Sequence, residues 1–317
     1  MSRVVRVAVG VVQGADGRIL IARRSDDAHQ GGLWEFPGGK VDPGETLAKA
    51  LARELREELA IDVLASEPLI EIRHDYPDKS VWLQVCRVTA FEGEPQGAEG
   101  QPVQWVQPEA LPGFAFPAAN RPIVNAIRLP RTLLITGEAD SSVDWSLRLE
   151  WALTQGVSWV QVRAPGLSDQ EYHERLDRAL ALCRPRGVKV LAHGDASRAR
   201  ADLDGVHFNS EALRACRERP VAESAWWGAS CHSPDELRQA ARLGVDYALL
   251  SPVLPTSSHP DAQPLGWARF ADWVAAAPMP VYALGGVTEA HRAQALASGG
   301  QGIAGIGFAW SPVTSQR

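Results

Sequence analysis

The sequence predicts an α/β protein in two domains. Three observations lead there. The chain has 317 residues, enough for two cores. Its first 130 or so residues read as strands with few helices, whereas from Arg131 onward strand-like and helix-like segments alternate. That alternation counts out to eight units, and the change of rhythm falls near Leu129–Arg131. Expected domains are therefore 1–129 and 131–317, joined by a link too short to let them drift far.

In the first part, VVRVAVGVVQ, GRILIARR and VWLQVCRVTAFEG read as strands, with turns at ADG and YPD. Thr46 to Ala60 reads as a helix. Ala118 to Arg128 reads as a second, stopped by Pro130, because the residue before proline is pushed out of helical geometry. In the second part the strands are RTLLITG, WVQVRAP, KVLAHG, GVHFNS, WWGASCH, YALLSPV, PVYALGG and GIAGIGFAW. Helical stretches such as SVDWSLRLEWALTQG, DQEYHERLDRALALC and SPDELRQAARLG separate most of them. Eight strand–helix units imply a parallel (βα)8 barrel of the TIM type, with its active face at the strand C-termini. The segment is short for that fold, so some helices must be stunted. The eighth is expected to be missing, since little follows Trp310.

Composition excludes several classes. Hydrophobic residues make up 45% and charged residues 22%, a globular balance. A net charge of -6 disfavours a nucleic-acid footprint. Cys86, Cys183, Cys216 and Cys231 form no CxxC pair, which fits a reducing compartment and neither a disulfide framework nor a zinc site. No apolar run approaches the roughly 18 residues of a membrane span, and MSRVVRVAVGVVQG does not read as a signal peptide. A cytoplasmic protein is expected.

The segment GGKVDPGETLAKALARELREELAI, Gly38 to Ile61, concentrates the chemistry. At about 100° per residue, Leu47, Leu51, Leu55 and Leu59 share one helix face, while Glu54, Glu57 and Glu58 share the face beside it. Three carboxylates at this spacing repel one another. A solvated surface helix with an Arg53–Glu57 pair is the plainer explanation of the helix taken alone. The flanking residues weigh against it. Gly39, Glu45, Arg53, Glu54, Glu57 and Glu58, with Leu55 in an aliphatic slot, fit the Nudix box, a match expected by accident in about one window per million. The segment resembles that of Nudix hydrolases. The resemblance implies an α/β/α sandwich with a mixed sheet, Mg2+ (or Mn2+) as cofactor, and hydrolysis of a diphosphate bond. It also implies Glu54, Glu57, Glu58 and the Gly38 carbonyl as metal ligands, with Glu45 and Arg53 structural. The family usually has glycine where this chain has Ala60. Alanine in a left-handed helix end costs roughly 1 kcal/mol.

Residues 3–128 are further similar to the MutT-like branch, through RRSDDAHQGGLWEFPGGK, YPDKS, FEGEPQGAEGQPVQW and FPAANRPIV. That likeness implies 8-oxo-dGTP as substrate, with sanitation of the nucleotide pool. It makes Glu99 a further metal ligand or the general base, a role for which Glu54 competes. Arg24, His29, Phe36, Lys40, Asp78 and Asn120 fall where such enzymes grip the nucleotide. A carboxamide such as that of Asn120 offers one acceptor and one donor, which matches the oxidised purine edge and not the two acceptors of guanine. As a plain reading, Asn120 is a turn or helix-cap asparagine and His29 a loop residue. Lys79 stands where the best-known relative has an arginine, so planar stacking would be lost there.

The second part resembles the thiamine-phosphate synthase and TenI group through LLITG, QVR, DGVHFNS, GASCHS, YALLSPVLPTSSHP, PLGW and YALGGV. Gln161, Arg163, Thr256 and Gly286 match positions that hold substrate or phosphate there. The departures are larger. LAHGD stands in place of the family's Asn-Asp pair, Ala212 takes an acidic position beside Glu211, His259 replaces a lysine, and a second lysine is absent near Pro165. The barrel is therefore expected to lack synthase activity and to bind a phosphorylated ligand or serve assembly. His193, His207 and His232 are expected at packing positions rather than in a metal centre. The alternatives are a bifunctional enzyme of the thiamine pathway and a non-catalytic ligand-sensing fusion. Oligomeric state is left open.

Overall fold

The computed structural model describes residues 4–26, 30–75, 80–256 and 262–310. His29, Asp78, Lys79 and His259, four of the residues singled out above, lie outside the described residues, as does the segment after Trp310. The chain forms two compact units, one built on Met1–Leu129, the other on Pro130–Val274 and Pro280–Arg317.

The first unit holds strands β1 (Val4–Val12), β2 (Ile19–Arg23), β3 (Trp34–Glu35) and β4 (Gly38–Lys40), helix α1 (Leu47–Leu59), strands β5 (Asp62–Asp75), β6 (Ser80–Glu92) and β7 (Val103–Val106), and helix α2 (Arg121–Arg128). The main sheet runs β4-β1-β6-β5; β1 and β6 are parallel and the other pairs antiparallel. A smaller antiparallel sheet runs β3-β2-β7. Alternation along β1 sorts the two cores. Ala8 and Val12 pack with Leu51, Leu55 and Leu59 of α1. Val9 and Val11 pack with Ile123, Val124 and Ile127 of α2. A helix thus covers each face, the mixed-sheet sandwich that the sequence predicts.

Two details differ from the sequence reading. β5 is a long strand that the apolar pattern passes over, because it carries Pro68 among charged residues. Proline is tolerated there because β5 is an edge strand of the sheet. The segment 118–128 is not one helix: Ala118–Asn120 is a 3-10 turn and α2 begins at Arg121. Pro122 has no N–H to give, so the α-helix must start just before it.

The second unit is a closed parallel barrel of eight strands: β8 (Thr132–Ile135), β9 (Trp159–Val162), β10 (Lys189–Gly194), β11 (Gly205–Phe208), β12 (Trp226–Cys231), β13 (Tyr247–Leu250), β14 (Val281–Ala283) and β15 (Gly302–Gly305). All eight coincide with the segments read from sequence. The outer helices are α3 (Ser142–Thr154), α4 (Asp169–Cys183), α5 (Ser210–Ala215), α6 (Pro234–Leu243), α7 (Gly266–Val274) and α8 (Arg292–Ala297). Stunting is real. Only the 3-10 turn Ala196–Arg198 stands between β10 and β11, and α5 and α8 have six residues each. Among the described residues no helix is long and apolar enough to cross a membrane.

Candidate active site

α1 presents the acidic face. Thr46 caps it, its hydroxyl oxygen accepting from Lys49 N at 3.3 Å. Its far end closes on Ala60, which takes the left-handed conformation (φ 57, ψ 35) that the sequence marks as better suited to glycine. Arg53 gathers the surroundings. Its guanidinium donates to both Glu45 oxygens (3.2 and 3.1 Å), to Glu54 Oε1 (2.9 Å), to Glu57 Oε2 (3.2 Å) and to the Lys40 carbonyl (3.0 Å). Glu45 and then Glu54 hold Arg53 charged well above its usual range. The Arg53–Glu57 pair of the plainer reading therefore exists, but as one arm of a hub that orients three carboxylates. The Lys40 ammonium is exposed and has no partner among the described residues.

The glycine turn sits against these acids. A β-carbon on Gly38 (φ 144) would lie 2.1 Å from the Ala8 carbonyl oxygen, so β4 pairs with β1 only through glycine there. A β-carbon on Gly39 would lie 2.2 Å from Glu54 Oε2: that carboxylate rests directly on the bare backbone. Gly38 N donates to Glu58 Oε2 at 2.9 Å.

Glu58 is the most perturbed member. Burial first, and then the charges of Glu35, Glu54 and Glu99, push its carboxyl up to about 7, although the Gly38 N–H pulls the other way. Glu58, Glu99, Glu35, Arg23, Arg24 and Gln101 line one cleft of about 460 Å³. In it Arg24 pairs with Glu35, whose carboxyl burial pushes up and Arg24 pulls down. Glu35 and Gln101 are not foreseen from the sequence, although they lie in EFPGGK and GAEGQP. Nothing in their spacing points at α1.

The remaining predicted residues are placed as follows. Glu99 is exposed, at the rim of the same cleft. Phe36 is 4% exposed, within the α2-side core, stacked on Phe116 at 5.2 Å. Asn120 is 9% exposed at the start of α2, yet its side chain neither caps the helix nor bonds to any described residue. A buried carboxamide left open this way is unusual for a helix-cap asparagine.

In the barrel, Arg163, Thr256 and Gly286 all fall just past strand C-termini, after β9, β13 and β14. The Arg163 guanidinium has no hydrogen bond or ion pair with a described residue, while its backbone is pinned to the Thr136 hydroxyl (3.0 and 3.1 Å). Gln161 Nε2 lies 2.7 Å from His193 Nδ1, and Gln161 Oε1 is buried without a partner. His207 lies between Tyr247 (3.3 Å) and Ser230 (3.0 Å). His232 bonds to the Ser251 carbonyl at 2.9 Å. Asp195 of LAHGD caps the turn at Ser197, accepting from its N–H at 2.8 Å and its hydroxyl at 2.6 Å.

Comparison with known proteins agrees with both halves. Residues 8–126 match the family model for the NUDIX domain, and residues 132–308 match that for thiamine monophosphate synthase. The 8-oxo-dGTP diphosphatase of Escherichia coli K12 is 37% identical over 123 residues, covering 39% of this chain and 95% of that protein. The CTP pyrophosphohydrolase of the same organism is 35% identical over 124 residues, 39% of this chain and 91% of that protein. A thiamine-phosphate synthase of Synechococcus sp. strain CC9605 is 34% identical over 176 residues, 55% of this chain and 49% of that protein. The chain thus belongs to two families in series, a Nudix hydrolase followed by a barrel of the thiamine monophosphate synthase family.

Proposed function

We propose that the first unit hydrolyses 8-oxo-dGTP and related oxidised purine nucleoside triphosphates to the monophosphate and pyrophosphate, and so clears them from the nucleotide pool. The observation that carries this reading is the contact of Glu54 and Glu58 with the Gly38–Gly39 turn, with Glu99 on the cleft that Glu58 lines and Asn120 buried and open; among the described residues no three acidic side chains stand close enough to close on a metal ion as they are.

The donor set fits a hard divalent cation. Its atoms are carboxylate oxygens, and burial first, then the like charges of Glu35, Glu54 and Glu99, raise Glu58 to about 7. Mg2+ or Mn2+ would be held by Glu54, Glu57, Glu58, Glu99 and the Gly38 carbonyl. When bound, it supplies positive charge against the diphosphate oxygens and acidifies water. The chain's own residues do the rest. Arg53 fixes the rotamers of Glu54 and Glu57. Glu54 or Glu99 takes a proton from the attacking water, and Lys40 and Arg24 offer charge to phosphate. Water adds to one phosphorus of the α–β bridge and the bond from that phosphorus to the bridging oxygen breaks, so that monophosphate and pyrophosphate part, one carrying the water oxygen and the other the bridging oxygen. Asn120 reads the oxidised edge, offering its oxygen to the N7–H and its nitrogen to O6.

Steady-state rates with Mg2+ on 8-oxo-dGTP, dGTP, CTP and thiamine diphosphate test this. A preference of 8-oxo-dGTP over dGTP of at least tenfold is expected. Equal rates on the two would remove the sanitising role, and CTP or thiamine diphosphate as the best substrate would move the unit to a different pool.

For the second unit the proposal is a bound phosphorylated ligand at the strand C-termini, near Arg163 and Gly286, without synthase turnover. The unpaired Arg163 guanidinium supports binding. Asp195, engaged by Ser197, supports the loss of turnover. Formation of thiamine phosphate from a pyrimidine diphosphate and a thiazole phosphate by the purified chain would refute it.

A further inference from the structure

The last carbonyls of α1 are not left to water. The segment after β6 folds back onto them: Gln96 N donates to the Leu59 carbonyl at 3.1 Å and Ala98 N to the Glu58 carbonyl at 2.9 Å. Helix ends need such partners, and here they come from about forty residues downstream. The same loop carries Glu99 on a tight turn, closed by Gly100 N donating to the Gly97 carbonyl at 3.0 Å. Gln101 completes the attachment. Its Nε2 donates to the Glu58 carbonyl at 2.8 Å, and its Oε1 accepts from Glu99 N at 2.9 Å. One side-chain amide therefore ties the backbone of Glu99 to the backbone of Glu58.

We propose that Gln101 is a positioning residue of the carboxylate centre: its amide fixes where the Glu99 carboxylate stands relative to that of Glu58. The inference rests on reading that centre as a cation and diphosphate site. The physical need is clear. Glu99 is exposed on a short turn, and its charge and that of Glu58 repel across the cleft. Left to itself the turn would relax outward and separate them. A carboxamide with one hand on each backbone opposes that relaxation without adding charge. It uses both its donor and its acceptor, so neither an acid nor an apolar side chain of equal length reproduces it. Partners that orient metal ligands from behind typically carry a 10–100-fold share of metal affinity.

The test uses the full chain and Mn2+ alone, with free Mn2+ followed by electron paramagnetic resonance and no nucleotide present. Gln101→Met should weaken Mn2+ binding about tenfold. The Glu99→Gln chain should weaken it at least as much. The double variant should be no weaker than Glu99→Gln, because an amide that acts through Glu99 has nothing left to position. If the Gln101→Met chain does not fold, Gln101→Asn, which keeps the amide and shortens its reach, serves in its place. Unchanged Mn2+ affinity in the single variant overturns the inference. So does a full tenfold further loss in the Glu99→Gln background, which would place the effect elsewhere in the unit. A wild-type chain that takes up no Mn2+ removes the reading of the centre itself, an outcome visible before any variant is made.

Discussion

The acidic cleft of the first unit and the polar interior of the barrel solve the problem of polar groups under cover in opposite ways. In the barrel, Gln161 meets His193, while His207 meets Tyr247 and Ser230, and the two imidazoles stack at 5.9 Å. These groups are neutral and mostly serve one another. In the cleft, burial and then the like charges of Glu35, Glu54 and Glu99 bear on the Glu58 carboxyl, while Arg24 pairs with Glu35 and Arg53 with Glu54. The difference separates packing from function. A set of polar groups that closes on itself stabilises a core, whereas one that stays electrostatically unbalanced leaves room for something from outside.

That contrast can be broken at its strongest point. Glu54→Gln removes a charge that Arg53 orients and Gly39 cradles. It should lower kcat on 8-oxo-dGTP by at least about 100-fold while the circular-dichroism melt stays within a few degrees of wild type. Turnover near the wild-type rate would show that Glu54 belongs to an ordinary solvated helix face.

Asn120→Ala comes next. The ratio of kcat/KM between 8-oxo-dGTP and dGTP should fall roughly 10–100-fold. Folding should be untouched, since the side chain caps nothing. A lowered melting temperature with an unchanged ratio would assign Asn120 to structure.

The barrel makes its own prediction, against acid. Burial first, and Arg163 second, depress His193 to about 4, and His207, fully buried beside it, also lies well below its usual range. An unfolded histidine binds its proton near pH 6.5, so between pH 6.5 and 4 the unfolded chain holds more protons. Stability is then lost as pH falls, by at most about 3 kcal/mol for His193. Urea midpoints of the barrel transition should drop across that window, and drop less in His193→Gln, where His207 alone of the two still contributes. An equally steep drop in the variant would place the acid sensitivity elsewhere.

Ala60→Gly should have the smallest effect. It relieves a left-handed alanine and should stabilise the first unit by up to about 1 kcal/mol, read as a rise in its urea midpoint with no change in kcat.

What the sequence reveals follows from how local each feature is. The eight barrel strands are short apolar runs between turn residues and declare themselves. So does the acidic face of α1, because three glutamates and four leucines within one helix need only its period. The strain at Ala60 is legible only through likeness to the family, which usually has glycine there. β5 is not, since its edge position tolerates Pro68 and solvent-facing charge that blur the alternation. Nor are Glu35 and Gln101. Their importance arises when β3 and the loop after β6 meet α1 in space, and no periodicity of a single segment records that meeting. Glu99 stands between these cases, found by likeness to a family and not by any rule of spacing.

The bare backbone of Gly39 beneath Glu54 has an evolutionary consequence. The nearest atoms an alanine at position 39 would meet belong to the tip of a flexible side chain, so the expected result is a unit that still folds with the acid turned aside. Drift is therefore unprotected by misfolding at this point and is checked only by loss of chemistry. In descendants released from their catalytic duty, residue 39 should be among the earliest to change, and it should change hand in hand with residue 54.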